Sequence, residues 1–372
     1  VILTMIITPV ALFLLGFPIF VVLLAAGSLT VAFLMNIPPV VLHQVMYGGI
    51  DNYALLAVPF FIFAGELMSR CGVSERLVVW SESFLGGLRG SLALTTISAS
   101  TLLGAVSGSS PATVAATGRA LYGELQDAGY RRSFSLGLIA SSGSVAIVIP
   151  PSIAMILYGA AAEQSVPKLF IAGVLPGLLI SVAMAAYVLL ATRNEAAPAR
   201  SNGMSFWQAS VYASGALAMP LVVLAGIYLG FFSPTEAGGI ACLYAILLAR
   251  LFYRSVAWAE ILEAASDAAL LTGQILIILA SAAVFSWLLT VQGIPQALVA
   301  WVQAAALSPL VFLFVINVIL LLLGCLIDPT SAILVLTPIL LPGVLKLGGD
   351  PLHGGGLGVV TAEMGFLTPP FG

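Results

Sequence analysis

Charge is scarce in this chain: of 372 residues, Lys and Arg number 12 and Asp and Glu 15, together 7%. A soluble domain carries about a quarter of its residues charged, so a water-coated globule of this length is excluded. The net charge of -3 gives no field for nucleic acid. Cysteine is rarer still, and Cys71, Cys242 and Cys325 lie singly without CxxC or CxxH spacing, which excludes a disulfide framework or a zinc site and leaves them as small apolar fillers. His43 and His353 are alone and read as interfacial hydrogen-bonding groups. Strand-like alternation is missing, which excludes an outer-membrane barrel. GxSxG, HExxH and GxxxxGKS are all missing too, so the chain is not an enzyme and does not hydrolyse ATP; its energy must come from an ion gradient or a partner.

What is present is apolar. Some 61% of residues are hydrophobic and the mean hydropathy is +1.15. Runs near the roughly 20 residues needed to cross a bilayer occur at 53–69, 168–192, 207–230, 233–249 and 268–290. The class is therefore an all-α polytopic membrane protein. The opening stretch 1–36 contains Pro9 and Pro18 but neither a basic head nor a cleavage site, and reads as a span rather than a signal peptide.

The chain also repeats itself. GVSERLVVW from Gly72 and GIPQALVAW from Gly293 match in a register 221 positions apart, pairing Leu77 with Leu298, Val78 with Val299 and Trp80 with Trp301. The same offset sets Ser107, Gly108, Ser109 and Ser110 on Asp328, Pro329, Thr330 and Ser331, and a two-residue slip sets Pro150-Pro151 on Pro369-Pro370. Charge separates the copies. Residues 70–132 hold Arg70, Arg76, Arg89, Arg119, Arg131 and Arg132, whereas 291–353 hold only Lys346. Because Lys and Arg in short loops stay cytoplasmic, the two copies should be threaded in opposite directions. Inverted repeats of broken apolar segments are the signature of a secondary transporter.

Arg193 with Arg200, and Arg250 with Arg254, place the hydrophilic stretches 193–204 and 250–266 in the cytoplasm, with a turn at Phe232-Ser233-Pro234 on the far side. Working back, the loop from Glu163 to Lys168 lies outside and 134–160 returns to Arg131 and Arg132. If 91–125 were two full spans, each arm would have about 15 residues, too short for a core of about 30 Å at 1.5 Å per residue. A re-entrant hairpin with its tip at 107–110 fits better, and its counterpart has a tip at 328–331. Non-helical backbone at membrane depth survives only where it lines a cavity or binds something. Segments 72–87 and 294–306 suit interfacial helices.

Each hairpin precedes a segment broken at mid-span, Ser141-Ser142-Gly143-Ser144 and then Pro150-Pro151 in the first copy, Thr368-Pro369-Pro370 in the second. A Ser/Thr/Gly tip facing unwound backbone offers oxygens to a hard monovalent cation, and half-helix N-termini offer amides to an anion. Sodium with an anionic substrate is the natural pairing. Asp328 is the sharpest residue, since a carboxylate in the hydrocarbon region is costly unless paired or ligating, although it also suits a helix N-cap. Glu66 sits near a span end. Glu236 reads as a first-turn charge, and Glu363 can ligate, pair or take up a proton. A channel is a weaker alternative because two opposed hairpins make a poor pore; an intramembrane protease would need a partner Asp where Ser107 stands.

The motifs GELMSRCGVSERL, SGSSPATVAATG, IPPSIAMILYG, AGVLPGLL, SPTEAGG, LIDPTSAILVLTPILLP and GFLTPPFG cover nearly the whole chain, which resembles the large, DctM-like membrane subunit of tripartite ATP-independent periplasmic (TRAP) transporters. The resemblance implies an elevator-type carrier with a scaffold, a mobile transport domain holding two hairpins, and arm helices. It further implies a multi-pass protein of the bacterial inner membrane, working with a small membrane subunit and a periplasmic binding protein that delivers an organic acid taken up with Na+. On the matching positions, sodium falls to Ser107, Gly108, Ser109, Ser110 and Ser144 in one copy and to Asp328, Thr330, Ser331 and Thr368 in the other. Substrate falls to Ser109, Ser110, Pro150, Pro151, Pro369 and Pro370. One departure is Ala146-Ile147-Val148-Ile149, where family members often have glycine or proline ahead of the first Pro-Pro. An ion-coupled carrier acting without a binding protein is the other reading.

The expected organisation is scaffold spans at 1–50, a first repeat at 51–166, scaffold spans and cytoplasmic loops at 167–266, and a second repeat at 267–372. About 40 mostly apolar residues follow Pro150-Pro151, down to Thr192, with no counterpart after Pro370, and the chain opens on Val1 rather than Met, so a further C-terminal segment is expected.

Overall fold

The computed structural model describes residues 2–35, 37–193, 204–305 and 308–369. Among them there is no strand, in agreement with the all-α class read from the sequence. The helices in chain order are α1 (Ile2–Leu14), α2 (Ile19–Leu34), α3 (Val40–Ile50), α4 (Ala57–Arg70), α5 (Val73–Leu85), α6 (Ser91–Ser107), α7 (Ser110–Asp127), α8 (Arg132–Ser144) and α9 (Ile153–Ala161). They continue as α10 (Val166–Ala191), α11 (Phe206–Tyr228), α12 (Pro234–Leu247), α13 (Trp258–Val291), α14 (Ile294–Ala304), α15 (Pro309–Gly324), α16 (Pro329–Lys346) and α17 (Pro351–Phe366). Among the described residues, six segments are long and apolar enough to cross a membrane: Tyr53–Arg70, Val166–Ala191, Phe206–Tyr228, Pro234–Phe252, Trp258–Val291 and Pro329–Lys346.

Two expectations change. The stretch 1–36 is two helices rather than one span, because Gly16 takes a left-handed φ of 81° just past α1 and Pro18, which has no N–H to donate, caps α2. The stretch 250–266 is mostly helical rather than a loop. A π-helical turn, Leu248–Phe252, extends α12, and α13 starts at Trp258, where the Glu260 carboxylate accepts the Ala257 N–H at 2.6 Å. The run at 268–290 is thus part of a 34-residue helix.

The chain divides into two compact units, one of Leu56–Met155 with Val166–Ala269, the other of Val1–Leu55, Ile156–Ser165 and Leu270–Gly372. In the first, small residues let helices approach closely, as apolar surroundings require when lipid offers no hydrophobic drive. A Cβ on Gly238 of α12 would sit 2.9 Å from Phe60 Cβ on α4, and a Cβ on Gly65 of α4 would sit 2.8 Å from Ser107 Cα. Polar links cross the same seams: Ser81 Oγ meets Ser98 Oγ at 3.0 Å between α5 and α6, and Trp80 Nε1 donates to Ser210 Oγ at 3.0 Å between α5 and α11. The Arg76 guanidinium lies 4.2 Å from the Tyr212 ring and 3.7 Å from the Tyr253 ring, and donates to the Tyr212 carbonyl at 3.0 Å. α10 buries Leu169, Phe170 and Val188 on one side and leaves Ile171, Leu175, Leu179, Val182 and Leu190 exposed on the other, as suits a helix with one face toward lipid.

In the second unit, a Cβ on Gly27 of α2 would meet Val284 of α13 at 2.7 Å. α15 and α17 are joined by the Thr361 hydroxyl, which donates to Asn317 Oδ1 at 2.5 Å.

The three cysteines are free thiols. Cys71, between α4 and α5, is buried, donates to the Met68 carbonyl at 3.3 Å, and is pushed by burial up to about 12. Its thiolate population at neutral pH should be on the order of a thousandfold below that of an exposed cysteine. Maleimide at pH 7 should leave Cys71 unmodified until the protein is unfolded in detergent, as mass spectrometry of the labelled peptide would reveal; labelling in the folded state would place the α4–α5 junction at the surface.

Candidate functional site

The first hairpin, α6 and α7, turns over two residues. α6 stops because Gly108 has a φ of 61°, a region open to glycine without strain, while its N–H still reaches the Gly104 carbonyl at 2.8 Å. Ser109 is extended, and Pro111 sits in the first turn of α7, where no amide is needed. Ser107, Gly108 and Ser110 are buried. The Ser107 hydroxyl shares a hydrogen bond with Thr113 Oγ1 at 2.9 Å and lies 3.3 Å from both the amide nitrogen and the carbonyl oxygen of Ser109.

This turn rests on broken helix. α8 ends at Ser144, a 3-10 turn covers Val145–Ile147, residues 148–152 are non-helical with a cis Pro150-Pro151 bond, and α9 restarts at Ile153. The break therefore forms without the expected glycine ahead of the prolines. Gly143 has a different task, admitting Val114 of α7, whose amide nitrogen would be 3.2 Å from an added Cβ. A Cβ on Gly108 would run into the Pro151 carbonyl, and the Ile153 N–H reaches the Gly108 carbonyl at 3.4 Å. So Ser107 to Ser110, Pro150 and Pro151 form one neighbourhood. Ser144 lies beyond the 3-10 turn and donates its hydroxyl to the Ser141 carbonyl at 2.7 Å.

The sequence reading missed two residues here. Ser152 is fully buried; its hydroxyl donates to the Ile147 carbonyl and accepts the Met155 N–H at 3.2 Å, so one side chain ties both edges of the break together. The signal was a serine directly before an apolar helical run, the N-cap pattern. Thr113, bonded to Ser107, was hidden because its partner lies across the turn.

In the second unit, Asp328 caps α16. Its two carboxylate oxygens accept the Ser331 N–H at 3.0 Å and the Ser331 O–H at 2.5 Å, which leaves lone pairs for further donors or a cation. Asp328 and Thr330 are half-buried and Ser331 is buried. α15 approaches α17 where a Cβ on Gly324 would sit 2.9 Å from Gly365 Cα. Just beyond, Thr368 Oγ1 donates to the Gly365 carbonyl at 2.6 Å and lies 2.7 Å from Cys325 Sγ. Thr368 thus joins the segment between α15 and α16 to the end of α17. Pro369 is exposed, and Pro370 lies outside the described residues. Glu363 is 2% exposed on α17.

Two other carboxylates singled out in the sequence, Glu236 and Glu66, have structural duties. Glu236 and Ser233 form a reciprocal capping box at the start of α12. Glu66 pairs with Arg70 at 2.8 Å, and Arg70 also reaches Glu263 at 3.2 Å and Asp267 at 2.5 Å, tying α4 to the polar start of α13.

Gly108→Ala should destabilise the protein by about 1–2 kcal/mol for the left-handed backbone, with a further cost for displacing Pro151. Thermal unfolding in detergent followed by tryptophan fluorescence measures this, and an unchanged midpoint would contradict the packing of turn on break.

Comparison with known proteins agrees along the whole chain. A family model described as "Tripartite ATP-independent periplasmic transporter, DctM component" matches residues 6–372. The C4-dicarboxylate TRAP transporter large permease protein DctM of Pseudomonas aeruginosa is 40% identical over 324 residues, 87% of this chain and 76% of that protein. The ectoine/5-hydroxyectoine TRAP transporter large permease protein UehC of Ruegeria pomeroyi is 38% identical over 384 residues, 99% of this chain and 87% of that protein. Among solved structures, the YdaH transporter of Alcanivorax borkumensis shares the fold with a TM-score of 0.56 at 18% identity, covering 98% of this chain and 88% of that one.

Proposed function

The chain belongs to the DctM-component family of tripartite ATP-independent periplasmic transporters, a family of multi-pass membrane permease subunits rather than enzymes, and we propose that it imports an organic acid with sodium by an elevator movement. The coupling sodium ions sit at Ser107, Gly108, Ser109, Ser110 and Ser144, and at Asp328, Thr330, Ser331 and Thr368. The acid is held by Ser109, Ser110, Pro150, Pro151, Pro369 and Pro370. Its partners are a small membrane subunit and a periplasmic binding protein, and it resides in the bacterial inner membrane. The relatives' names, C4-dicarboxylate and ectoine, support a small carboxylate as cargo.

The observation that carries the reading is a close approach that recurs between the first arm of each hairpin and the segment that follows the hairpin. In one unit α6 closes on the 3-10 turn through Gly104 and Ala146; in the other α15 closes on α17 through Gly324 and Gly365. The glycines differ by 220 positions and their partners by 219, close to the spacing of the sequence repeat. Gly72 and Gly293 both take left-handed φ values, 78° and 71°, as N-caps of α5 and α14, and Gly129 and Gly348 do the same after α7 and α16, at 86° and 75°. Two equivalent sets of backbone, threaded oppositely as the arginines suggest, support an inverted repeat. Each set leaves hydroxyl and carbonyl oxygens beside a helix terminus, the donors a hard cation needs.

Uptake by the reconstituted complex, with small subunit and loaded binding protein, should stop when external sodium is replaced by choline; undiminished uptake removes the coupling. Asp328→Asn separates cap from charge, because asparagine caps as well as aspartate. Asn should keep stability within about 0.5 kcal/mol while weakening sodium dependence at least tenfold, whereas Asp328→Ala should lose both the dependence and about 1 kcal/mol. Full sodium dependence in the asparagine variant would reduce Asp328 to a cap.

A further inference from the structure

Apart from the hairpin turns, the second unit carries an open cavity of about 420 Å³. It lies where the end of α3 and the residues after it, the end of α9, the middle of α13 and one face of α16 come together. Its lining includes Asp51, Asn52, Glu163 and Ser286 together with Leu334 and Pro338 of α16, and none of its lining residues is basic. Asp51 and Glu163 are exposed, so both carboxylates stand in water at its edge. Gly48 on the wall has no side chain and nothing within 4 Å of where a Cβ would lie, so the opening stays wide.

The sign of this cavity is wrong for the cargo. An organic acid meets two negative charges and no cation, and is repelled; a small cation is concentrated, because carboxylates around a low-dielectric recess focus their field into it. α16 links the recess to the second hairpin. Leu334 is six residues beyond Asp328 on α16, about 9 Å at 1.5 Å per residue, so the recess borders the helix whose first turn carries the Asp328–Ser331 cap, although that cap is not part of its lining.

We propose that this cavity is the vestibule by which the coupling cation reaches the second hairpin, with Asp51 and Glu163 as its electrostatic attractors, separate from the path of the acid. The inference rests on sodium coupling as proposed above. It assigns to Asp51 and Glu163 a role in raising the local cation concentration rather than in ligating the ion.

Two measurements on the reconstituted complex test it. The first reads the charge of the cavity without reference to coupling: a thiol introduced by Ala161→Cys, on the cavity wall, is modified by a trimethylammonium-ethyl or a sulfonato-ethyl methanethiosulfonate, with the rates of the parent chain subtracted. The cationic reagent should be favoured about tenfold over the ratio seen with a free thiol, and Asp51→Asn with Glu163→Gln should abolish the preference. The second reads sodium: in the same double variant the half-saturating sodium concentration for uptake should rise about threefold to tenfold at low ionic strength, and the difference should fade as ionic strength rises above about 0.2 M, where the screening length falls below about 8 Å. A free-thiol ratio at Ala161→Cys, or an unchanged half-saturation at low ionic strength in a sodium-dependent parent, overturns the vestibule while leaving sodium coupling intact. A parent indifferent to sodium overturns the coupling, and the vestibule with it. Asp127→Asn, a carboxylate outside the cavity, should give the parent's values in both measurements; a matching shift there would show a general surface-charge effect and overturn the assignment.

Discussion

A backbone amide or carbonyl away from water must find a partner within the protein, and this one constraint shapes every irregular feature of the molecule. The helices satisfy their own groups. Each place where a helix stops short must therefore be matched by something that takes over, and the matches are local and specific. Ser152 spans the break between α8 and α9, Asp328 accepts the Ser331 amide in the first turn of α16, and the Ile153 amide is met by the Gly108 carbonyl of the facing turn. Where the chain is interrupted, it is interrupted in company.

Close approach makes that company possible. Among the described residues, the turn of the first hairpin touches the neighbouring break and α4 through positions with no side chain, Gly108 and Gly65, and the arms press on the following helix through Gly104 and Gly143. A methyl group at any of these would push apart surfaces whose polar groups depend on contact. Packing of small residues and satisfaction of backbone are thus a single device.

Much of this was legible in the sequence, and the reasons differ by element. The all-helical class followed from long apolar runs with few charges. The first turn was marked by Gly108 and Pro111, because a left-handed residue followed by a residue without an amide ends one helix and starts another. The capping box of α12 could be read from Ser233 and Glu236, three apart. The break between α1 and α2 was obscured because Gly16 and Pro18 sit inside one unbroken apolar run, and hydropathy does not register a change of backbone direction. The stretch 250–266 reads as a cytoplasmic loop from Arg250 and Arg254, whereas Glu260 closes the start of α13 and Arg70 gathers Glu263 and Asp267 onto α4. Thr113 was out of reach because it acts through Ser107 across the turn, a partner that only the folded hairpin brings near, whereas Ser152 carried a readable N-cap signal ahead of α9.

The length of α13 has a consequence of its own. Thirty-four residues make a rod of about 51 Å, some 20 Å more than the oily layer of a bilayer is thick. Such a rod either leans steeply or stands proud of the lipid, and its acidic first turns, clasped to α4 by Arg70, favour the second.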